Sequence, residues 1–381
     1  MDNDEKIIAS TIELIKIDSR NGPNAEDRIS EYIIDNFNSS SLKFEIIYHA
    51  GFRKSLIAVL PGENSSKNLL VCGHLDTIEI PNIILDEDKN ILAQVRDDKI
   101  FGLGSSDMKS GIISILFGLK HLTDNKIKPK YDIVVVLTGD EEKDKTGALS
   151  LLKNKLIKKT KLMLIPEPTN LDLGLGQKGQ IWLELKFKGK SAHGSAPEKG
   201  KSAVLMAMNF IQRILDPNLF SKNDRFFSKS TVNVGFISAV GPFNVVPDAC
   251  TAGFDIRISP PDTVSDIMDK INSILSADYK KSEFDLKLVD RLNASFINPD
   301  SKTATQLKNI IDTHVSGRRK IALSYATDGS VLNTYLNVPV AILGPGSPEV
   351  IHNKDEYVIT DNIIKSVCIY KDIFLNLDRI I

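Results

Sequence analysis

Short apolar runs and helical spacings alternate along the first part of the chain. Apolar residues recur at helical spacing over residues 4–17 and 25–37. The runs at 68–73, 131–138 and 161–165 are rich in branched apolar residues and have the length of buried strands. Helical segments separate these strands, and acidic or histidine residues follow each of them. The pattern predicts an α/β layered domain.

A turn signal and a change of pattern refine this picture. Residues 61–64 read Pro-Gly-Glu-Asn and predict a hairpin-type turn between strands 55–60 and 68–73. Over residues 180–290 the predicted order becomes strand, helix, strand, strand, helix, strand. That order is the ferredoxin-like arrangement, which forms a complete small domain.

The length of the chain supports two domains. It has 381 residues, whereas single hydrophobic cores stop growing near roughly 250–300 residues. We expect a mixed-sheet α/β/α domain built from residues 1–176 and 294–381. We expect residues 177–293 to form an α+β domain inserted into it.

Composition and charge exclude several classes of partner. Lys plus Arg (48) nearly balances Asp plus Glu (49), so we expect neither nucleic acid nor a membrane surface as a partner. Cys72, Cys250 and Cys368 are far apart and have no metal-binding or disulfide spacing. The N-terminus lacks the basic-then-apolar order of a signal peptide, and no apolar run reaches the roughly 20 residues of a membrane span. We expect a cytoplasmic protein.

Metal-binding residue types follow the predicted strands. His74 and Asp76 come after strand 68–73, and residues two apart on an extended chain project to the same side. Open α/β sheets bind ligands at this end of their strands. One histidine after a strand is usually structural, but here a set of such residues recurs. Its members are His74, Asp76, Asp107, Glu141, Glu142, Glu167 and His352.

Two imidazoles with several carboxylates form a donor set suited to zinc, cobalt or manganese. One tetrahedral zinc does not require so many acids, whereas two ions about 3.5–4 Å apart with a shared carboxylate would. Asp76 is placed to accept the second ring N–H of His74. Glu141 and Glu142 are adjacent and point differently, so one can bind metal while the other acts as general base.

Five motifs in order resemble the M20 co-catalytic metallopeptidases, which include relatives of acetylornithine deacetylase, succinyl-diaminopimelate desuccinylase and aminoacylase. They are Gly-His-Leu-Asp-Thr (73–77), Gly-Leu-Gly-Ser-Ser-Asp-Met-Lys-Ser-Gly (102–111), Gly-Asp-Glu-Glu (139–142), Pro-Glu-Pro-Thr (166–169) and the late His352. The resemblance covers nearly the whole chain. It implies a zinc-peptidase-like catalytic domain and makes the inserted domain a lid and dimerisation module, so that a homodimer is expected.

The resemblance also implies two divalent ions that share one carboxylate, with zinc favoured and cobalt or manganese as alternatives. The ligands would be His74, Asp107 and Glu167 for one ion, and Asp107, Glu142 and His352 for the other. Asp76 would orient His74, and Glu141 would activate the attacking water.

The resemblance further implies substrate contacts. His193, in Ser-Ala-His-Gly (191–194), matches the histidine that polarises the substrate carbonyl, commonly from the partner subunit. Asn244 and Arg257 match positions that bind the substrate carboxylate. Thr327 and Gly329 belong to a segment that resembles a loop lining the same pocket.

Each of these assignments has a structural alternative. His193 could cap a helix, and Asn244 and Arg257 could serve in a turn and a surface salt bridge. Lys109 is expected to be a solvated residue of the first helical turn. The glycines of 102–104 lack the context of a nucleotide loop, and we expect them to permit a close approach to the metal site.

The start of the inserted domain bears on the substrate. Desuccinylases generally carry an Arg-Gly-Ser-type segment there, which suits a second carboxylate, whereas residues 177–180 here read Gln-Lys-Gly-Gln. The difference favours a deacetylase-like enzyme, although Lys178 is kept as a candidate partner for an anion.

We therefore expect a dinuclear metal-dependent hydrolase that cleaves the amide bond of an N-acyl-L-amino acid through a metal-bridging hydroxide. Glu141 would take the proton and return it to the leaving amine. The alternative is a di- or tripeptidase or a carboxypeptidase acting on short peptides. A binding protein without catalysis is a third reading, against which the presence of Glu141 argues.

Overall fold

The computed structural model describes residues 3–81, 83, 85–88, 90–220 and 226–381. Contacts divide the chain into two compact units. The first contains the chain up to Gly176 together with Phe296–Ile321 and Thr327–Ile381. The second contains Gln177–Ser295 and Ala322–Ala326. The domain division predicted from the sequence assigned the last of these segments to the first domain.

Strands and helices alternate through the described part of the chain. The strands are β1 (Glu45–His49), β2 (Arg53–Leu60), β3 (Asn64–His74), β4 (Gln94–Arg96), β5 (Lys99–Phe101), β6 (Tyr131–Thr138), β7 (Thr160–Ile165), β8 (Leu173–Gln177), β9 (Gly179–Lys188), β10 (Thr231–Ser238), β11 (Ala249–Ile258), β12 (Phe284–Leu292), β13 (Ser295–Phe296), β14 (Lys320–Leu323), β15 (Val340–Ile342) and β16 (Tyr357–Ile359). The helices are α1 (Asn3–Lys16), α2 (Asp27–Phe37), α3 (Ser110–Asp124), α4 (Thr146–Leu151), α5 (Ala203–Ile214), α6 (Val264–Asp278), α7 (Lys302–His314), α8 (Asp328–Leu336), α9 (Thr360–Leu375) and α10 (Leu377–Ile380). An irregular turn, Ser105–Lys109, leads into α3.

The main sheet is mixed. Its order among the described strands is β1-β2-β6-β3-β7-β15-β8-β13, and β14 pairs with β8. β3 runs parallel to both β6 and β7, whereas β2 runs antiparallel to β6. This confirms the predicted mixed-sheet α/β class. The predicted hairpin between β2 and β3 is wrong, because β6 lies between these two strands and pairs with both.

The second unit has the predicted β-α-β-β-α-β order, formed by β9, α5, β10, β11, α6 and β12. Its antiparallel sheet has the order β10-β11-β9-β12. The core between this sheet and its helices contains a cluster of aromatic rings among aliphatic side chains. The ring of Phe187 lies 5.3 Å from that of Tyr279 and 6.0 Å from that of Phe210.

Burial in the first unit follows from the apolar runs. Leu69 to Cys72 of β3 are fully buried, as expected for a central strand covered on both faces. Helix α3 packs against α1 and α9, and its apolar residues are buried around most of its circumference. Among the residues that the structure describes, no helix is both long and apolar enough to span a membrane.

This topology places polar residues at one edge of the sheet. The adjacent parallel strands β6, β3 and β7 end at Thr138, His74 and Ile165. The segments that follow them carry most of the predicted metal-binding residues.

Candidate metal centre

His74 is held by hydrogen bonds at both ring nitrogens. Its Nδ1 lies 2.8 Å from the main-chain carbonyl oxygen of Asp76, and its Nε2 lies 2.9 Å from Oδ1 of Asp107. A carbonyl oxygen only accepts, so Nδ1 carries a proton. Because Nδ1 is held as a donor, Nε2 is the nitrogen that faces the centre, and its lone pair would be free to bind a metal once the proton that it donates to Asp107 is lost.

The carboxylate of Asp107 lies between two imidazoles. Its Oδ1 faces His74, and its Oδ2 lies 3.4 Å from Nε2 of His352. The same His352 nitrogen lies 3.3 Å from Oε2 of Glu142. On the other side, Oε1 of Glu167 lies 3.7 Å from Nε2 of His74. The structure therefore brings together all five predicted metal ligands.

The backbone before α3 is shaped to present Asp107. Gly104 has a φ of +80°, and a Cβ there would lie 2.7 Å from Cγ2 of Thr77, so glycine is required. The close approach that Gly104 permits is to Thr77 and Lys109, whereas an approach to the metal site itself was expected. Lys109 corrects the expectation of a solvated residue, because it is 1% exposed and its Nζ donates to the carbonyl of Ile17 at 2.6 Å.

The carboxylate of Asp76 holds the turn that carries the two glutamates. Its Oδ1 accepts from the main-chain N–H of Glu141 at 3.0 Å, and its Oδ2 accepts from that of Glu142 at 3.2 Å. Nδ2 of Asn21 donates to Oδ2 at 2.7 Å. The nearer partner of His74 is thus the Asp76 carbonyl, since the carboxylate lies 4.0 Å from Nδ1. The expected side-chain contact is replaced by a main-chain one.

A buried arginine contacts the residues that hold this turn. Arg53 binds the carboxylate of Glu26, donates to Oδ1 of Asp140 at 2.7 Å and donates to Oδ1 of Asn21 at 3.1 Å. Its Nη2 lies 3.9 Å from Oδ2 of Asp76. Sequence reasoning missed this network. The sequence offered only a weak signal for this network, namely one arginine at the start of an apolar strand.

Burial and mutual repulsion raise the pKa values of the carboxyl groups at the centre. Burial first, and then the Asp328 carboxylate, raises the pKa of Glu141 to about 8. Burial followed by the charge of Asp107 raises the pKa of Glu142, and raises that of Glu167 well above its ordinary value. These acids are therefore crowded in a site that favours positive charge.

The imidazoles respond to the same crowding in the opposite sense. Burial disfavours charge on His74, but the Asp107 hydrogen bond and the Glu167 charge outweigh it and raise the pKa of His74 well above its ordinary value. Hydrogen bonds with Asp107 and Glu142 raise the pKa of His352 to about 10. Protons on these rings supply the positive charge that the carboxylates require.

The donor set fits divalent cations. Ligand atoms of His74, Asp107 and Glu142 all lie within 4.8 Å of one another. His352 has a φ of +59°, a conformation that is uncommon for non-glycine residues. Nitrogen and oxygen donors of this kind suit zinc, cobalt and manganese, and such ions would relieve the repulsion among the acids.

The second unit brings two of the predicted substrate residues into neighbouring segments. The main-chain N–H of Gly194 donates to the carbonyl of Asn244 at 2.7 Å, and His193 pairs with Val245 in a short bridge. Both His193 and Asn244 are exposed. Nδ1 of His193 accepts from the main-chain N–H of Ser195 at 3.2 Å, so the proton of the neutral ring lies on Nε2. No helix cap is formed by His193 among the described helices.

The other two candidates of this unit have partners within it. Arg257 donates to Oδ2 of Asp255 through Nε at 3.2 Å and through Nη2 at 2.9 Å. This is the local salt bridge that was considered as the alternative. Lys178 is buried, and its Nζ donates to the carbonyl of Lys229 at 2.7 Å. Burial, and then the charge of Arg257, lowers the pKa of Lys178.

Thr327 and Gly329 form the start of α8 in the first unit. The hydroxyl of Thr327 accepts from the main-chain N–H of Gly329 at 3.0 Å and caps the helix. Both residues are buried. The residue between them, Asp328, is hydrogen-bonded to the hydroxyl of Thr138, and sequence reasoning did not single it out for its effect on Glu141.

One family model accounts for most of the chain. The model described as Peptidase family M20/M25/M40 matches residues 70–376. The chain belongs to this family.

Curated members of the M20 family that resemble the chain include deacylases. It is 24% identical to the probable succinyl-diaminopimelate desuccinylase of Staphylococcus aureus, over 94% of this chain and 94% of that protein. It is 28% identical to the acetylornithine deacetylase of Photorhabdus laumondii, over 76% of this chain and 74% of that protein.

Solved M20 structures share the whole fold. Aminopeptidase PepT from Bacillus cereus matches with a TM-score of 0.77 and 19% identity, covering 99% of both chains. The YXEP protein from Bacillus subtilis, described as a dinuclear metal-binding peptidase of the M20 family, matches with a TM-score of 0.68 and 12% identity, again over 99% of both chains. As a member of the M20 family, the chain is a metal-dependent hydrolase that acts on amide bonds.

Proposed function

We propose that the first unit binds two divalent ions at Asp107. The single observation that carries this proposal is the position of the Asp107 carboxylate, whose two oxygens face His74 and His352. Glu167 would complete the ligands of the ion at His74, and Glu142 would complete those of the ion at His352. Zinc is the favoured metal, with cobalt or manganese as alternatives.

Glu141 is proposed as the general base and acid. When bound, the cations would lower the pKa of a water molecule and polarise the amide carbonyl. Glu141 is 8% exposed, and its main-chain N–H donates to Asp76, the residue whose carbonyl accepts from His74. These contacts support a position beside the proposed ions. Its neighbour Glu142 faces His352, so the two adjacent carboxylates are divided between proton transfer and metal binding. Glu141 would take the proton of the water and deliver it to the leaving amine.

The proposed substrate is an N-acyl-L-amino acid, with a deacetylase-like preference. Two relatives with deacylase names support this choice. His193 would donate from Nε2 to the substrate carbonyl oxygen, because Ser195 occupies Nδ1. Asn244 and Arg257 would bind the α-carboxylate, for which Arg257 would have to share its contacts with Asp255.

Lys178, Thr327 and Gly329 complete the proposed binding residues. Lys178 donates from Nζ to the carbonyl of Lys229, and its ammonium form would add to the attraction of an anion. Thr327 and Gly329 would contribute through the loop that precedes α8, although both are buried and tied to the helix cap. Of these three, we expect substitution of Lys178 to change substrate affinity most.

The alternative substrate is a short peptide. It is favoured by the likeness to PepT, which extends over the whole chain but concerns the fold. The two substrate classes differ at the group on the amide carbonyl, since a peptide presents a free amine there and an N-acyl amino acid does not.

A substrate screen tests these proposals. Protein loaded with zinc, cobalt or manganese would be assayed with N-acetyl, N-succinyl and N-formyl amino acids and with di- and tripeptides. We expect the highest kcat/KM for an N-acetyl amino acid. A higher value for peptides would replace the proposal by its alternative, and hydrolysis of none of the panel would contradict both. Glu141→Gln protein prepared in parallel controls for contaminating hydrolases.

We also propose that the chain forms a homodimer through the inserted domain. Strand β10 is an edge of the second sheet, and edge strands with apolar side chains tend to pair. Phe236 and Ile237 on this strand are each 49% exposed, and Phe243 in the following segment is fully exposed. An apolar edge of this kind is typical of an interaction surface.

A further inference from the structure

A buried glutamate that the proposed reaction does not use lies behind the metal centre. Glu356 is 1% exposed and follows His352 by four residues. Its Oε1 accepts from the main-chain N–H groups of Ser106 at 2.7 Å and Asp107 at 2.9 Å. Its Oε2 accepts from the N–H of Gly104 at 3.1 Å. One carboxylate thus gathers three N–H groups of the turn that presents Asp107.

Further hydrogen bonds join the turn that carries Asp107 to the segment that carries His352. The carbonyl of Glu356 accepts from the N–H of Gly102 at 3.0 Å. The hydroxyl of Ser106 donates to the carbonyl of Tyr357 at 2.9 Å and accepts from the N–H of Ser347 at 2.9 Å. Strand β16 then pairs with β5. The segment that carries His352 is therefore fastened to the turn that carries Asp107.

We propose that Glu356 is a positioning residue for the metal centre, which fixes the bridging carboxylate of Asp107 relative to His352. The inference rests on the proposed dinuclear site. Three main-chain N–H groups donate to the two oxygens of this one side chain, and all three belong to consecutive parts of one turn. Because Asp107 reaches both imidazoles with the two oxygens of one side chain, a small rotation of its backbone would lengthen contacts to both.

Charge distribution supports a role beyond packing. Burying a carboxylate is unfavourable, and here the site is already crowded with Asp107, Glu142 and Glu167. A carboxyl group offers two oxygens that accept from several N–H groups at once, whereas the amide of glutamine offers only one. Both oxygens are used here, and they would hold the turn so that the Asp107 side chain faces the ions.

Metal binding distinguishes positioning from bracing. Glu356→Gln keeps the size of the side chain, but its amide NH₂ would face one or more of the three N–H groups. Glu349→Gln is the matched control, because Glu349 is an exposed glutamate of the same segment. Zinc affinity would be measured for both variants and the wild type by competition with a chromophoric chelator. Visible absorption of the cobalt-loaded proteins and thermal unfolding of the metal-free proteins would be recorded alongside.

We expect Glu356→Gln to bind at least one of the two ions about 10–100-fold more weakly, with an altered cobalt spectrum. Glu349→Gln should match the wild type in both. If Glu356→Gln lowers the thermal stability of the metal-free protein but binds both ions with wild-type affinity and spectrum, the residue is only a brace and the inference is wrong.

A second variant covers the case in which Glu356→Gln does not fold. Glu356→Asp keeps the carboxyl group but withdraws it by one methylene, so it should bind at least one of the two ions more weakly than the wild type. Wild-type affinity in Glu356→Asp, when Glu356→Gln is unfolded, would overturn the inference. Metal titration of the wild type distinguishes failure of the proposed function from failure of the inference about Glu356. Failure of the wild type to bind two ions would contradict the proposed function and this inference with it, whereas a fully metal-binding wild type and Glu356→Gln would contradict the inference alone.

Discussion

The carboxylate of Asp76 accepts a hydrogen bond through Oδ1 from the main-chain N–H of Glu141 at 3.0 Å. The same residue reaches His74 through its carbonyl oxygen at 2.8 Å. One residue therefore fixes both the tautomer of a proposed metal ligand and the position of the proposed general base. These two effects can be separated, because substitution of the side chain leaves the carbonyl in place.

Substitution Asp76→Asn should reduce turnover more than metal binding. The new amide NH₂ would face the N–H of either Glu141 or Glu142, so the turn would shift, whereas the main-chain contact to His74 would persist. We expect kcat to fall by about 10–100-fold while His74 still contributes to metal binding. Measurement of kcat and of metal content tests this. Asp98→Asn, which alters an exposed aspartate, serves as control, and a variant that loses metal in proportion to activity would contradict the prediction.

Much of this site could be predicted from strands that end in polar residues. The apolar runs located β6 and β7 nearly to the residue and β3 at its carboxyl end, whereas β3 already begins at Asn64. Parallel neighbours must end at the same edge of a sheet. The pairing itself could not be predicted. A Pro-Gly turn after β2 suggested a hairpin with β3, but β6 lies between them, because sheet order depends on contacts distant in sequence.

Buried charges were the second limit of sequence reasoning. Lys109 and Arg53 look like solvated residues in a linear sequence, and their burial depends on acceptors far along the chain. Lys109 is matched by the carbonyl of Ile17, and Arg53 is matched by Glu26 and Asp140. Local propensity carries no information about such partners.

Removal of the Arg53 cation should destabilise the protein strongly. Arg53→Met would leave the buried carboxylates of Glu26 and Asp140 without their counter-charge, and loss of one partner of a buried pair costs about 3–5 kcal/mol. The free energy of unfolding in urea measures this. Lys130→Met removes the exposed pair with Glu63 and should cost less than about 1 kcal/mol. Equal effects of the two substitutions would show that the Arg53 network contributes no special stability.

His49 should make stability depend on pH. Burial lowers the pKa of His49 below its ordinary value, and its ring nitrogens lie 2.9 Å from Oγ of Ser55 and 3.0 Å from Oγ1 of Thr146. The unfolded chain therefore binds a proton at higher pH than the folded one. The stability that His49 contributes is present above the unfolded pKa of about 6.5 and is lost as pH falls through that value towards the folded pKa.

The matching experiment compares His49→Gln with the wild type at pH 8 and pH 5.5. The substitution should destabilise the protein more at pH 8 than at pH 5.5, as measured by the free energy of unfolding. His121→Gln, at an exposed position, should show no such difference. A larger effect of His49→Gln at the lower pH would mean that the folded state favours the charged ring, contrary to the structure.

The proposed dimer predicts a specific effect of charge on β10. Ile237→Lys places a cation on the exposed edge strand, and burial of an unpaired charge in an interface is unfavourable. We expect a dimeric wild type and a monomeric variant in light scattering coupled to size-exclusion chromatography. Leu149→Lys, at a 47% exposed leucine of the first unit, should stay dimeric. A monomeric wild type, or a variant that remains dimeric, would exclude this interface.

Two ions gathered by Asp107 are proposed to serve a reaction in which Glu141 moves the proton. A paired measurement on Glu141→Gln, in which metal content per chain and turnover of the best substrate from the screen are determined together, tests this proposal. We predict two ions per chain, as in the wild type, and a loss of turnover by at least about 100-fold. A variant that keeps two ions and wild-type turnover would contradict the role of Glu141, and a wild-type protein that holds fewer than two ions at full activity would contradict the dinuclear centre.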